Sequence, residues 1–274
     1  MRRAAVLLAF GFVLPGIAAA ESAPASLGNL LNLRGARSQL RYTPGALDRA
    51  AHVQARLDTL AEDFAAWSGK RFALQGFVLG PEDWAAGEFG APYGLPERTG
   101  PESVAVPAWG DEQTVALWRD LLGGSLPWSA GMPVRGTQDE AASLALSDLL
   151  LQTELARLFL DRAGVSGEPG WVEEVLAQSV ALAAFHSHEA NRIAEIEDVY
   201  ARLAAVPAGR LAHEARCFAA ARIVVAKDGL RTPKRLLKLA RGQGGRIGAG
   251  DLVARYPELA AWASTAAAPP AGAR

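Results

Sequence analysis

The sequence predicts an α+β fold: a small sheet packed on a buried helix, followed by a mostly helical C-terminal half. Three observations carry this. Strand-like segments fall between residues 72 and 107. The helical pattern over 139–162 is apolar on most of its circumference, which places it at the centre of a core. Segments with helical spacing then succeed one another to residue 264. Helices that follow a sheet, rather than alternate with its strands, give the α+β order.

The first twenty residues read as a secretory signal. Arg2 and Arg3 form a basic start, 4–15 is uncharged and apolar, and Ala18, Ala19 and Ala20 are the small residues of a cleavage site. Cleavage is expected after Ala20, giving an exported protein, periplasmic or secreted. The apolar run is short for a bilayer span, no Cys follows it, and an uncleaved anchor is the other reading. No later segment is long and apolar enough to cross a membrane. One domain is expected over 21–264, with an Ala/Pro/Gly tail over 265–274 expected to be disordered.

Residues 21–45 read as an extended lead-in that turns at Thr43-Pro44-Gly45. Leu47, Val53, Leu57, Leu60, Phe64 and Trp67 recur at three- and four-residue steps, predicting a helix over 46–68 that Gly69 ends. The aromatic and branched residues of 72–79, and the shorter 103–107, predict strands. Between them, 80–101 is dense in Gly and Pro and reads as one long ordered loop, with Trp84, Phe89 and Tyr93 inside it. A short helix is predicted over 114–122, closed by Gly123-Gly124, then a loop through Pro127, Gly131, Pro133 and Gly136. Further helices are predicted over 139–162, 171–185, 189–203, 210–227 and 233–241, and 251–264 closes the fold.

Composition narrows the function. The chain has 274 residues, with 28 Lys+Arg against 29 Asp+Glu, so it is not a strongly basic nucleic-acid binder. Its one Cys excludes an internal disulfide and any CxxC metal site. Cys217, in an apolar helical context beside Phe218, reads as a buried, inert thiol. The four His are His52, His186, His188 and His213.

The most informative stretch is 148–185. It reads D-L-L-L-Q-T-E-L-A-R-L-F-L, then a loop, then P-G-W-V-E-E-V-L-A-Q-S. This resembles the active-site region of the gluzincin-type, peptidase MA-like zinc metallopeptidases. In those enzymes a buried helix carries H-E-x-x-H, whose two His bind zinc and whose Glu is the general base. A second helix, opened by an aromatic residue, supplies a third ligand. The resemblance puts Thr153 and Arg157 at the two His positions, Glu154 at the base, Trp171 at the aromatic and Glu174 at the third ligand, seventeen residues after Arg157. It extends to the loop at 90–96, the strand at 104–106 and the helical stretch 219–239. It also implies a cleft that Trp84, Tyr93 and Trp171 would border.

The departures from the family pattern carry the expectation about function. Zinc takes neutral imidazole, thiolate or carboxylate donors. A Thr hydroxyl is a poor donor, and a guanidinium offers no lone pair at all. The remnant metal site therefore implies no catalytic residue, no metal and no cofactor. Glu154 and Glu174, left partly buried, would need a counter-charge. Arg157, three residues from Glu154, is expected to bridge Glu174 and Glu154 in place of the metal. The plainer reading makes Glu154 and Arg157 an ordinary surface pair.

Other candidates are weaker. His186-Ser187-His188-Glu189 is an H-x-H at a helix junction, where Ser and Glu suit capping of the next helix. His213-Glu214 is half a zinc motif, with Cys217 where the second His would stand. There is no G-x-S-x-G elbow, and the glycines of 242–250 follow no strand. Residues 227–246 carry Lys227, Arg231, Lys234, Arg235, Lys238, Arg241 and Arg246 against one acid, Asp228. These residues form either a solvated helix face or a docking face for an anionic phospholipid surface or acidic cell-wall polymer.

The resulting expectation is an exported, non-catalytic metallopeptidase-like protein that binds a peptide or protein partner in the remnant cleft. One alternative is a metal-dependent peptidase with Glu154 as base, in which His186, His188 or His213 joins Glu154 and Glu174 around zinc. The other is a surface-interacting module that uses the basic segment.

Overall fold

The computed structural model describes residues 27–126, 136–206 and 209–266. The signal-like segment with its cleavage position after Ala20, the loop residues Pro127, Gly131 and Pro133, and the tail beyond Ala266 lie outside the described residues.

The fold is α+β. Its sheet has five strands rather than two, in the order β1-β2-β3-β5-β4. The lead-in folds as an antiparallel pair, β1 (Leu31–Arg34) and β2 (Ser38–Tyr42). In β2, Leu40 and Tyr42 are buried while Gln39 is exposed and Arg41 half-buried, a period-two pattern carried by only two apolar residues. β2 runs parallel to β3 (Leu74–Leu79), and β3 parallel to β5 (Ser103–Pro107). The edge strand β4 (Glu97–Gly100) is antiparallel to β5.

The predicted loop at 80–101 therefore contains structure. It holds β4, whose E-R-T-G sequence has no apolar alternation to betray it, and helix α2 (Pro81–Ala86). Pro81 opens α2, where its missing N–H costs nothing. Dense Gly and Pro here punctuate short elements rather than replace them.

Helix α1 (Leu47–Ser68) lies on the sheet through Val53, Leu57, Leu60 and Phe64, all buried. It approaches β3 closely at Gly76, where a Cβ would stand 2.9 Å from Leu57 Cδ1. Helix α3 (Glu112–Leu122) starts at a capping box of Asp111 and Thr114. Helix α4 (Gln138–Ala163) starts at a second box of Thr137 and Glu140 and ends at Gly164, φ 73°. α4 packs against α1, α3, β5 and helix α5 (Gly170–His188). It buries Leu144, Leu146, Leu149, Leu150, Leu151, Leu155, Leu158, Phe159 and Leu160. Phe159 stacks on Phe64 with ring centroids 4.7 Å apart, welding α4 to α1.

Between α4 and α5 runs the short strand β6 (Ser166–Glu168), parallel to β7 (Arg246–Gly248) from the far end of the chain. Helices α6 (Ile193–Ala204), α7 (Arg210–Asp228) and α8 (Thr232–Gly242) complete the C-terminal half. α5 continues to His188, so His186 and His188 belong to its last turn and Glu189 is its C-cap. The closing segment 251–264 falls in two helices, α9 (Ala249–Arg255) and α10 (Leu259–Ala266), separated at Tyr256-Pro257. Pro257 cannot continue α9 without losing a backbone hydrogen bond. One apolar cluster runs through α1, the sheet, α4, α5, α7 and α8. A smaller one, with Leu27, Leu30, Phe77, Trp84 and Tyr93, also includes Ala105 of β5.

Candidate functional site

Two buried helices and a third that flanks them converge on one arginine. Positions 153 and 157 of α4 lie one turn apart and face α5. The Thr153 hydroxyl donates to Gln178 Oε1 at 3.4 Å and stands 3.2 Å from the Tyr200 hydroxyl. Arg157 places Nη1 2.5 Å from Glu154 Oε1 and Nη2 2.6 Å from Glu174 Oε2. The same Nη2 lies 2.9 Å from Glu214 Oε1, contributed by α7. Gln178 Nε2 donates to the other oxygen of Glu174 at 2.9 Å.

A second arginine, Arg210, closes the cluster. It donates through Nε to Glu214 Oε1 at 2.6 Å and through Nη2 to Glu154 Oε1. Arg98 of β4 stands at the edge, 3.9 Å from Glu154 Oε2, and pairs with Asp161 at 2.5 Å. The side chains of Arg157, Glu154, Glu174 and Glu214 are 10, 6, 10 and 4 % exposed. Glu154 and Arg157 are thus not an ordinary surface pair.

The electrostatics follow from that burial. Desolvation raises the Glu154 carboxyl above its ordinary range, although Arg157 and Arg210 pull the other way. Burial alone would lower the Arg157 guanidinium, but the charges of Glu214, Glu154 and Glu174 hold it further up, firmly protonated. Arg210 is raised in the same manner, against its own desolvation, by Glu214 and Glu154. Three buried carboxylates face the buried Arg157 guanidinium and that of Arg210, whose side chain is 61 % exposed, an arrangement in which Arg157 and the carboxylates depend on one another.

A cavity of about 440 Å³ opens beside this cluster. Glu154, Glu214 and Arg210 form its polar side. Ala91, Pro92, Leu95 and Pro96 from the segment before β4 form one wall, and Leu121, Leu150, Leu203 and Leu211 the others. The segment is held by Glu97, whose carboxylate accepts from the backbone N–H of Gly90 at 3.1 Å and of Ala91 at 2.7 Å.

The three aromatics expected at a cleft are elsewhere. Trp84 is buried against Phe89 and Tyr93, with centroids 4.8 and 5.8 Å away, and donates to the Ala91 carbonyl at 3.0 Å. Tyr93 donates to the Trp109 carbonyl at 2.9 Å. Trp171 is buried against Trp262 of α10 at 5.1 Å. The aromatics fasten the far side of the loop and the start of α5, while the aliphatic residues of the same loop turn toward the cavity.

The histidines proposed as substitute ligands do not reach the carboxylates. His186 lies three turns beyond Glu174 on α5, about 18 Å along the axis at 1.5 Å per residue. His188 stands 2.5 Å from Asp63. His213 is exposed on α7, 3.7 Å from Cys217 Sγ. Burial pushes the Cys217 thiol up, as expected of an inert one. Among the described residues, no group of three or more His, Cys, Asp and Glu is arranged to hold a metal ion.

Sequence reasoning missed Glu214, Arg210 and Arg98 as members of the cluster. Arg210 and Glu214 are four residues apart on one helix face, which was the available signal. It also missed a second buried pair. Arg49 of α1 grips Asp148 of α4 with two bonds, of 2.8 and 2.6 Å, and His52 Nε2 lies 3.1 Å from the same carboxylate. Burial would raise Asp148, but Arg49 and the His52 hydrogen bond hold it well below the usual carboxylate range.

No family model matches the chain, and no curated protein or solved structure matches it.

Proposed function

We propose that the chain is an exported, non-catalytic metallopeptidase-like protein that binds a peptide or protein partner in the cavity beside α4. The observation that carries the reading is the place of Arg157. Its guanidinium fills the space between Glu154 and Glu174, where the resemblance puts a catalytic zinc. A permanently protonated group there supplies the positive charge of a metal without a Lewis-acidic orbital or a bound water. Glu154, committed to two arginines, would have no metal-bound water to activate.

The cavity suits an apolar side chain of an extended ligand. Its volume falls in the range of small-ligand pockets, and its walls are aliphatic. β4 is one of the sheet's two edge strands, and its first residue, Glu97, lines the cavity. A peptide pairing with that edge would gain main-chain hydrogen bonds while one side chain entered the cavity.

Restoring the ligands tests the scaffold. The double variant Thr153→His/Arg157→His is expected to bind one zinc, and adding Glu174→Gln is expected to abolish that binding. Absence of zinc uptake by the folded double variant overturns the assignment of these positions. Stoichiometric zinc in the unaltered protein, with peptidase activity lost in Glu154→Gln, overturns the non-catalytic reading. For the cavity, Leu121→Trp is expected to fill it and weaken capture from a peptide library at least tenfold. Export is checked by N-terminal sequencing of the secreted protein, expected to begin at Glu21.

A further inference from the structure

The structure sharpens the basic segment at the C-terminal end of the fold. Its two outermost cations are occupied: Lys227 donates to the Arg255 carbonyl at 2.8 Å, and Arg246 pairs with Glu168 at 3.0 Å. The five between them, Arg231, Lys234, Arg235, Lys238 and Arg241, are all exposed. None has an ion-pair partner among the described residues. No Asp or Glu occurs between residues 229 and 250.

The spacing of three and four residues lines these cations along one side of α8 and the turn before it. The opposite side is fixed in the core by Leu236, Leu237 and Ala240. The stripe works against the helix that carries it. Like charges one turn apart repel. Arg231, Lys234 and Arg235 also crowd the helix N-terminus, where the macrodipole disfavours positive charge. Fold stability therefore gives no account of the stripe, whereas an anionic counterpart does.

We propose that the exposed side of α8, with Leu230 at its head, docks the protein on an anionic phospholipid surface. Charge complementarity carries the choice. The stripe is about 15 Å long at 1.5 Å per residue, enough to meet several headgroups at once. A protein interface would centre on buried apolar anchors. Among the described residues of 227–246, the one large, exposed apolar side chain is Leu230, at 54 % exposure, and it stands at the end of the stripe rather than at its middle. That placement suits a single side chain dipping below the headgroups while the cations remain among them.

Sedimentation with vesicles tests this independently of the peptidase-like reading. The full chain is expected to pellet with phosphatidylcholine–phosphatidylglycerol vesicles at low salt, and not with phosphatidylcholine alone. High salt is expected to release it. Lys234→Gln/Lys238→Gln is expected to weaken binding about thirtyfold, the effect of losing two cations at an anionic surface. Arg34→Gln/Arg37→Gln removes the same charge from two exposed residues near the opposite end of the chain and is expected to leave binding unchanged. The first variant is further expected to melt at or above the temperature of the unaltered protein, because repulsion is relieved. Equal loss in both variants, binding to neutral vesicles, or retention on heparin with no vesicle binding would each overturn the proposal.

Discussion

Arg157 is the residue on which the buried charges turn. Three carboxylates share it, and its removal leaves the buried Glu174 with the neutral Gln178 and leaves Glu154 and Glu214 to the exposed Arg210. Arg157→Met is expected to destabilise the protein by about 3–5 kcal/mol in denaturant titration. Arg157→Lys keeps the charge but loses the fork, and is expected to cost about 1.5–3 kcal/mol. Asp148 makes a separate, pH-dependent contribution. Its folded pKa is depressed, so its stabilisation is complete above the ordinary carboxylate range of about 4 and is lost as pH falls toward the folded value. The acid limb of the stability curve is expected to flatten in Asp148→Asn. Ser147, one residue earlier, has a buried hydroxyl with no partner among the described residues. Ser147→Ala is therefore expected to leave the thermal midpoint unchanged or raise it, and a loss of more than about 1 kcal/mol would contradict that. The sequence made the Arg157 bridge to Glu154 and Glu174 legible, because buried carboxylates at those positions demand a counter-charge. Glu214 and Arg210 were not legible as members, because what joins them to Glu154 is the packing of α7 against α5, which brings in residues 56 and more positions from Glu154 along the chain.

At the scale of elements, α4 is both the spine of the core and the support of the charged cluster. Its Leu and Phe residues face α1, the sheet and α5, and its polar residues Asp148, Thr153 and Glu154 are buried with partners from other elements. Phe159→Ala is expected to cost about 3–5 kcal/mol, as it empties the junction with Phe64 and Phe72. The long helices were legible because a 3.6-residue period over many turns is a strong signal. The short edge elements were not. β4 has four polar or glycine residues, and β6 and β7 have three residues each. Such strands are fixed by their neighbours rather than by their own composition. Gly167 of β6 shows the constraint: a Cβ there would stand 2.4 Å from the Glu173 backbone nitrogen, so β6 can lie against the start of α5 only as glycine.

For the whole molecule, the order of patterns sufficed for the α+β class, and the details of the site came from tertiary contact. The cavity is the clearest case. It exists only where the segment before β4, α3, α4, α6 and α7 meet, and no one of these elements encloses it. Its walls thus come from both the sheet-bearing half and the helical half of the chain. Whatever enters would have to be expelled before the two halves could part. Occupancy and unfolding are then one coupled equilibrium, in which a ligand at a hundred times its dissociation constant adds about 2.7 kcal/mol to the folded state. The melting temperature of the intact protein thereby becomes an assay for its partner, one that responds to any compound that fills the cavity, whatever its chemistry.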